Sequence, residues 1–174
     1  MVIWFTGISG TGKTTLGKKF FEKLKKISKS SIYLDGDKFR EIFKNDLGYS
    51  LSDRDKNAYR LTRFVKEISS QKINIVVAAN LTNPKYRSWC KKNIKSFREI
   101  HIEAKIESLL LRDYKNLYND ALKGRIKNVI GVDLPFKKPK GCDIYLENNS
   151  TKEVLYKNIN KILIKMNKSK LLFK

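Results

Sequence analysis

Acidic residues are scarce in this chain, histidine is almost absent, and cysteine and proline are few. Its 174 residues hold 17 Asp and Glu against 38 Lys and Arg, with one His, two Cys and three Pro. A single histidine and two cysteines at no metal-like spacing exclude a structural zinc site. Cys90 and Cys142 are therefore expected to be free thiols in a reducing, cytoplasmic setting. No segment approaches the ~20 consecutive apolar residues of a membrane span, so no membrane partner is expected. The apolar start, Met1 to Phe5, is too short for a signal-peptide core. The N-K-x-D motif that reads guanine is missing, which weighs against a GTPase. The one histidine, His101, lies in the alternating run from Glu99 to Glu103. There a satisfied or half-exposed strand residue is expected rather than a catalytic one.

The shortage of acid leaves a net charge of +21. Such a field attracts polyanions or small multi-phosphate ligands. The lysines are scattered (Lys18, Lys19, Lys23, Lys91, Lys92, Lys137, Lys138) rather than gathered into one tract. That favours a small anionic nucleotide as partner over nucleic acid. A nucleic-acid-binding ATPase remains the alternative of a different class. The length fits one domain, residues 1–166, followed by a basic, frayed tail over 167–174.

Gly7 to Thr14 read GISGTGKT, a full G-x-x-x-x-G-K-S/T phosphate loop. It follows an apolar, β-branched strand and opens a helix expected over residues 14–26, the context that gives this motif meaning. Loop N–H groups and the helix N-terminus attract phosphate. The expected ATP site is Gly7, Ile8, Ser9, Gly10, Thr11, Gly12, Lys13, Thr14 and Thr15. Lys13 reaches the β/γ-phosphates and Thr14 ligates Mg²⁺.

Further strands are expected over residues 31–34, 73–79, 97–102 and 142–146. A helix capped by Ser52 carries Leu61, Phe64, Val65 and Ile68 inward, and another covers 84–92. A closing helix over 151–166 buries Val154, Leu155, Ile159, Ile162 and Leu163. Residues 112–139 show poor periodicity, as a lid would. The alternation defines an α/β fold: a P-loop three-layer sandwich with a five-stranded, mostly parallel sheet, helices on both faces and a lid. The strand over 73–79 ends in Ala79 and Asn80, without the acid of a Walker B strand. Asp35 and Asp37 instead close the second strand, where a small kinase places acid for a proton or a metal shell.

These residues resemble the adenylylsulfate kinase family over about 1–147. The motif D-G-D-x-x-R appears at Asp35, Gly36, Asp37 and Arg40. D-L-G-F/Y-S appears from Asp46 to Ser50, followed by Asp53, Arg54 and Asn57. Lid blocks appear at Arg112 to Tyr118, Gly124 to Lys127 and Gly131 to Phe136. The resemblance implies phosphorylation of a nucleotide 3′-hydroxyl by MgATP, with Asp35 as base and Asp37 helping Mg²⁺ and the acceptor. It implies that Arg40, Arg54 and Asn57 hold the acceptor, that Lys115 and Lys127 close over the phosphates, and that Arg112 lies near the ATP base. Guanidinium forks suit phosphate and sulfate. Kinases of this type often assemble as homodimers.

Departures cluster on the acceptor side. The family segment A-F/L-I-S-P is here Ala79, Asn80, Leu81, Thr82 and Asn83, so direct in-line transfer replaces any phosphoserine route. Tyr49 keeps one aromatic of the acceptor sandwich, while Val129 and Ile130 stand where the lid carries the other. The paired arginines after Asn57 become Tyr59 and Arg60. Tyr49, Asn80, Leu81, Thr82 and Val129 complete the expected acceptor pocket. Asn80 and Asn83 suit a pyrimidine edge, so the cytidine diphosphoramidate kinase branch is the alternative to an adenylylsulfate acceptor.

Overall fold

The computed structural model describes residues 1–113 and 116–168, with backbone alone for 165–168. Five strands carry the fold: β1 (Val2–Thr6), β2 (Ser31–Asp35), β3 (Asn74–Ala78), β4 (Phe97–Glu103) and β5 (Ile144–Glu147). They form one sheet in the order β2-β3-β1-β4-β5 with every pairing parallel. Parallel neighbours need long crossovers, and helices supply them. These are α1 (Lys13–Ile27), α2 (Gly36–Ile42), α3 (Leu51–Ser70), α4 (Pro84–Asn93), α5 (Ile106–Leu111), α6 (Leu117–Leu122) and α7 (Lys152–Lys168). The sheet is wholly rather than mostly parallel.

Alternation along β1 and β3 divides the core into two layers. Val2, Trp4, Ile75 and Val77 face α3 and α4, packing with Leu61, Val65, Tyr86 and Cys90. Ile3, Phe5, Val76, Ile100 and Ile102 face Leu16, Phe20 and Leu24 of α1 and Leu155, Ile159 and Ile162 of α7. A strand covered on both faces must be apolar throughout, and all five residues of β1 are buried. The first layer also holds charge: Glu99, fully buried, takes two N–H bonds from Arg87. Because all strands run one way, their C-terminal ends meet at one edge, where open α/β sheets bind ligands. Among the described residues, no helix is long and apolar enough to cross a membrane.

The structure corrects several local expectations. Ser50, not Ser52, caps α3: its Oγ accepts from Asp53 N at 3.1 Å and donates to the Asp53 carboxylate at 2.8 Å. The Asp53 carboxylate thus takes the Ser50 hydroxyl proton rather than the Ser50 backbone N–H of a full capping box. Phe64 and Val154 are exposed rather than inward. His101 is fully buried, stacked on Phe136 with 5.6 Å between ring centroids, and edge-on to Tyr145. Both of its ring nitrogens lack a partner among the described residues. Cys90 is buried and Cys142 half-buried, and both are free. The lid region has order of its own: α6 and a small core of Leu109, Tyr118, Ala121 and Val129. The expected tail from Asn167 lies almost entirely outside the described residues.

Candidate active site

The phosphate loop joins β1 to α1, and its glycines are required by backbone geometry. Gly7 has φ 148°, and a Cβ there would lie 2.2 Å from the Ile102 carbonyl oxygen. Gly12 precedes α1 in the left-handed conformation, φ 96°, with the Asn148 amide 2.8 Å from where a Cβ would sit. Removing side chains at these points lets backbone N–H groups line a concave turn, which is the fit a polyphosphate requires. Lys13 Nζ donates to Ile8 O at 2.7 Å, folding back across the loop. Burial lowers this ammonium to about 8, against the opposing pull of Asp37 and Asp35. The Thr11 hydroxyl donates to Ile8 O, while Ser9 and Gly10 are exposed and Thr15 is half-buried.

Two side chains with no expected role wall this loop. Asn148, just after β5, donates its amide to Thr11 O at 3.0 Å. Tyr118 of α6 donates its hydroxyl to Ser9 O at 2.7 Å, tying the lid to the loop. Arg112 lies along the strand β5 exit, donating to Asn148 O at 2.7 Å and Ser150 O at 2.6 Å. The lid core meets the loop again through Ile8. Lys127 is exposed on the lid, and Lys115 lies outside the described residues.

At the end of β2 the two acids sit in different company. Asp35 Oδ2 accepts from the Thr14 hydroxyl at 2.9 Å and from the Tyr33 hydroxyl at 3.2 Å. Its other oxygen accepts from Asp37 N at 3.0 Å, which caps α2. Asp37 is exposed, and its carboxylate makes no hydrogen bond or ion pair among the described residues. It acts electrostatically on both Lys13 and Arg54. The set of one hydroxyl and two carboxylates fits Mg²⁺, which takes few protein ligands beside substrate phosphates.

The acceptor-side residues gather around Tyr49, whose ring is half-exposed. Arg40 and Arg54 place their guanidinium carbons 4.8 and 5.3 Å from its centroid. Arg40 is buried and donates to Leu47 O and Gly48 O, both at 3.1 Å. Arg54 donates to Tyr49 O and, across to the lid, to Asn128 O, each at 2.8 Å. Asp133 shapes the lid turn there, taking Asn128 N and Val129 N, bonds that hold its carboxyl below the usual range. Asn57 and Thr82 are half-buried nearby in sequence, on α3 and after β3.

Three expected pocket residues are otherwise engaged. Val129 is buried in the lid core, because an aliphatic side chain there gains more from Leu109 and Tyr118 than from water. Leu81 is buried in the α3/α4 layer, with its N–H on the Thr6 hydroxyl. Asn83 caps α4 and donates to Asp55 at 2.9 Å. Asn80 keeps its expected interest: it is half-buried, and its Oδ1 is buried without a partner among the described residues. Tyr33 and Asn148 lie outside every motif, and Tyr118 closes the first lid block without a role having been expected of it. Of the two outside the motifs, Tyr33 carried a signal, since a two-residue period puts it on the Asp35 face of β2.

A parallel sheet, a lysine-bearing phosphate loop bonded to a strand-end acid, and a lid over a basic platform define a nucleotide-binding P-loop kinase, a phosphotransferase. The adenylylsulphate kinase family matches residues 1–147, and the chain belongs to that family. It is 37% identical over 165 residues to cytidine diphosphoramidate kinase of Campylobacter jejuni, covering 95% of each chain. It is 35% identical over 150 residues to a probable adenylyl-sulfate kinase of Pseudomonas aeruginosa, covering 85% of this chain and 69% of that one. Among solved structures, the Mycobacterium tuberculosis APS kinase CysC in complex with AMPPNP and APS superposes with TM-score 0.83 at 28% identity. That match covers 95% of this chain and 96% of the other.

Proposed function

We propose that this chain transfers the γ-phosphate of MgATP to the 3′-hydroxyl of a small anionic nucleotide, adenylylsulfate kinase-like, with adenosine 5′-phosphosulfate as acceptor. The observation that carries this is the division of labour between two acids: Asp35 bonded to Thr14, and Asp37 exposed, its charge acting on Lys13 and Arg54. Thr14, Asp35 and Asp37 would hold Mg²⁺, which neutralises charge on the phosphates when bound. Lys13 leaves Ile8 O for the β/γ-phosphates. Asp37, exposed and free of hydrogen bonds among the described residues, rather than Asp35 with its three donors, takes the proton of the acceptor hydroxyl. Lys127 and Lys115 close from the lid as charge develops. Arg40 and Arg54 offer the acceptor anion whatever N–H groups remain after their bonds to backbone carbonyls. A homodimer is part of the same proposal.

A second reading keeps the chemistry and changes the acceptor to a pyrimidine nucleotide such as cytidine diphosphoramidate. The unpaired Asn80 Oδ1 and the lack of an aromatic at Val129 support it. The test is ADP release with MgATP and each acceptor in turn. Release accelerated by a nucleotide acceptor, and lost in Lys13→Ala, is expected. A higher kcat/KM for the cytidine compound selects the second reading. Release no faster than with water, or stimulated by RNA in a steeply salt-dependent way, contradicts both.

A further inference from the structure

Tyr33 belongs to no motif, yet the fold builds a place for it. Its ring crosses α1 at Gly17, where a Cβ would lie 3.3 Å from the ring carbon Cε2, and it packs on Phe21 with centroids 5.9 Å apart. Any larger residue at position 17 would crowd the ring. The hydroxyl at its far end converges with the Thr14 hydroxyl on one oxygen, Asp35 Oδ2. Asp35 then has three donors fixed around it: two hydroxyls on one oxygen and a backbone N–H on the other.

A hydroxyl can donate one proton while its oxygen lone pairs serve another partner. Thr14 spends its proton on Asp35, so its lone pairs stay directed away from that carboxylate. Such an arrangement works only while the carboxylate is kept from rotating. Thr14 is exposed and Asp35 half-buried, so packing on the Asp35 side chain alone does not hold it.

We propose that Tyr33 is a positioning residue for phosphoryl transfer: its hydroxyl locks the Asp35 carboxylate against Thr14 and thereby keeps the Thr14 oxygen presented to the metal side of the phosphate site. The proposal rests on the MgATP reading given above. It acts through Asp35.

The experiment is Tyr33→Phe, which keeps the ring over Gly17 and removes only the oxygen. Affinity for the non-hydrolysable analogue AMPPNP is measured by calorimetry with Mg²⁺ and with EDTA, alongside steady-state kinetics. Loss of a hydrogen bond to a charged group corresponds to about a tenfold effect. The expected result is a Mg²⁺-dependent gain in affinity reduced about tenfold, unchanged binding in EDTA, and a similar fall in kcat with KM for the acceptor unchanged. In an Asp35→Asn background, Tyr33→Phe has no further effect. Wild-type values in Tyr33→Phe overturn the proposal, as do full additivity with Asp35→Asn or a variant that unfolds, which would assign Tyr33 to packing. Should the wild-type chain itself show no Mg²⁺-dependent gain, the MgATP reading fails instead.

Discussion

Asp35 and Asp37 differ by one intervening glycine and by everything around them. Three donors hold Asp35, whereas Asp37 is exposed and acts on Lys13 and Arg54 through its charge. Asp37→Asn is therefore expected to lower kcat at least about 100-fold, the scale of general-base catalysis, and, because Asp37 also stands at the Mg²⁺ position, to weaken AMPPNP binding only modestly and only with Mg²⁺ present. A loss of nucleotide affinity with kcat preserved would return the base role to Asp35. At Val129 the expectation has turned around. A bare sequence comparison makes Val129→Phe a restored stacking face, but the side chain is enclosed by Leu109, Tyr118 and Ala121. Overpacking that lid core should cost about 1–3 kcal/mol in chemical denaturation and leave the purine-to-pyrimidine preference unmoved. A shifted preference without destabilisation would put residue 129 back in the pocket. The motif acids and arginines were legible because their chemistry is written in residue type and spacing. Val129, Leu81 and Asn83 were not, since which way a side chain turns is settled by packing with residues distant in sequence.

Among the elements, β4 carries the least expected feature. Its two-residue period aligns Glu99, His101 and Glu103 on the face toward α4, where apolar contact would be usual. Glu99 is answered by Arg87, whereas among the described residues His101 is answered by the rings of Phe136 and Tyr145 without a hydrogen bond to either ring nitrogen. Burial lowers this imidazole to about 4, against an ordinary 6.5. Below pH 6.5 the unfolded chain therefore takes up a proton that the native chain refuses until about pH 4, so native stability falls as pH falls through that window. The difference amounts to about 3 kcal/mol. His101→Phe should flatten the stability profile between pH 6.5 and 4 relative to wild type. Parallel slopes would show that the imidazole titrates freely in the native chain. Strand and helix positions were largely readable from β-branched runs and apolar stripes. The lid was not, because α6 and its small core depend on contacts to α5 and the phosphate loop rather than on a period of their own.

For the whole molecule, a wholly parallel sheet brings β1, β2 and β3 out at one edge, so residues 7–14 and 35–37 meet there and 80–83 leave from the same edge although sequence separates them widely. The lid completes the site through Tyr118 to the loop and Arg54 to Asn128. The net charge of +21 suits a small polyanionic ligand. What the molecule does with two nucleotides is best tested by following the phosphate itself. The chain is incubated with MgATP and the preferred nucleotide acceptor, and the products are resolved by ³¹P NMR and mass spectrometry. The account predicts a 3′-phosphorylated nucleotide formed in equal amount with ADP. Inorganic phosphate in its place, with the acceptor unaltered, would contradict it.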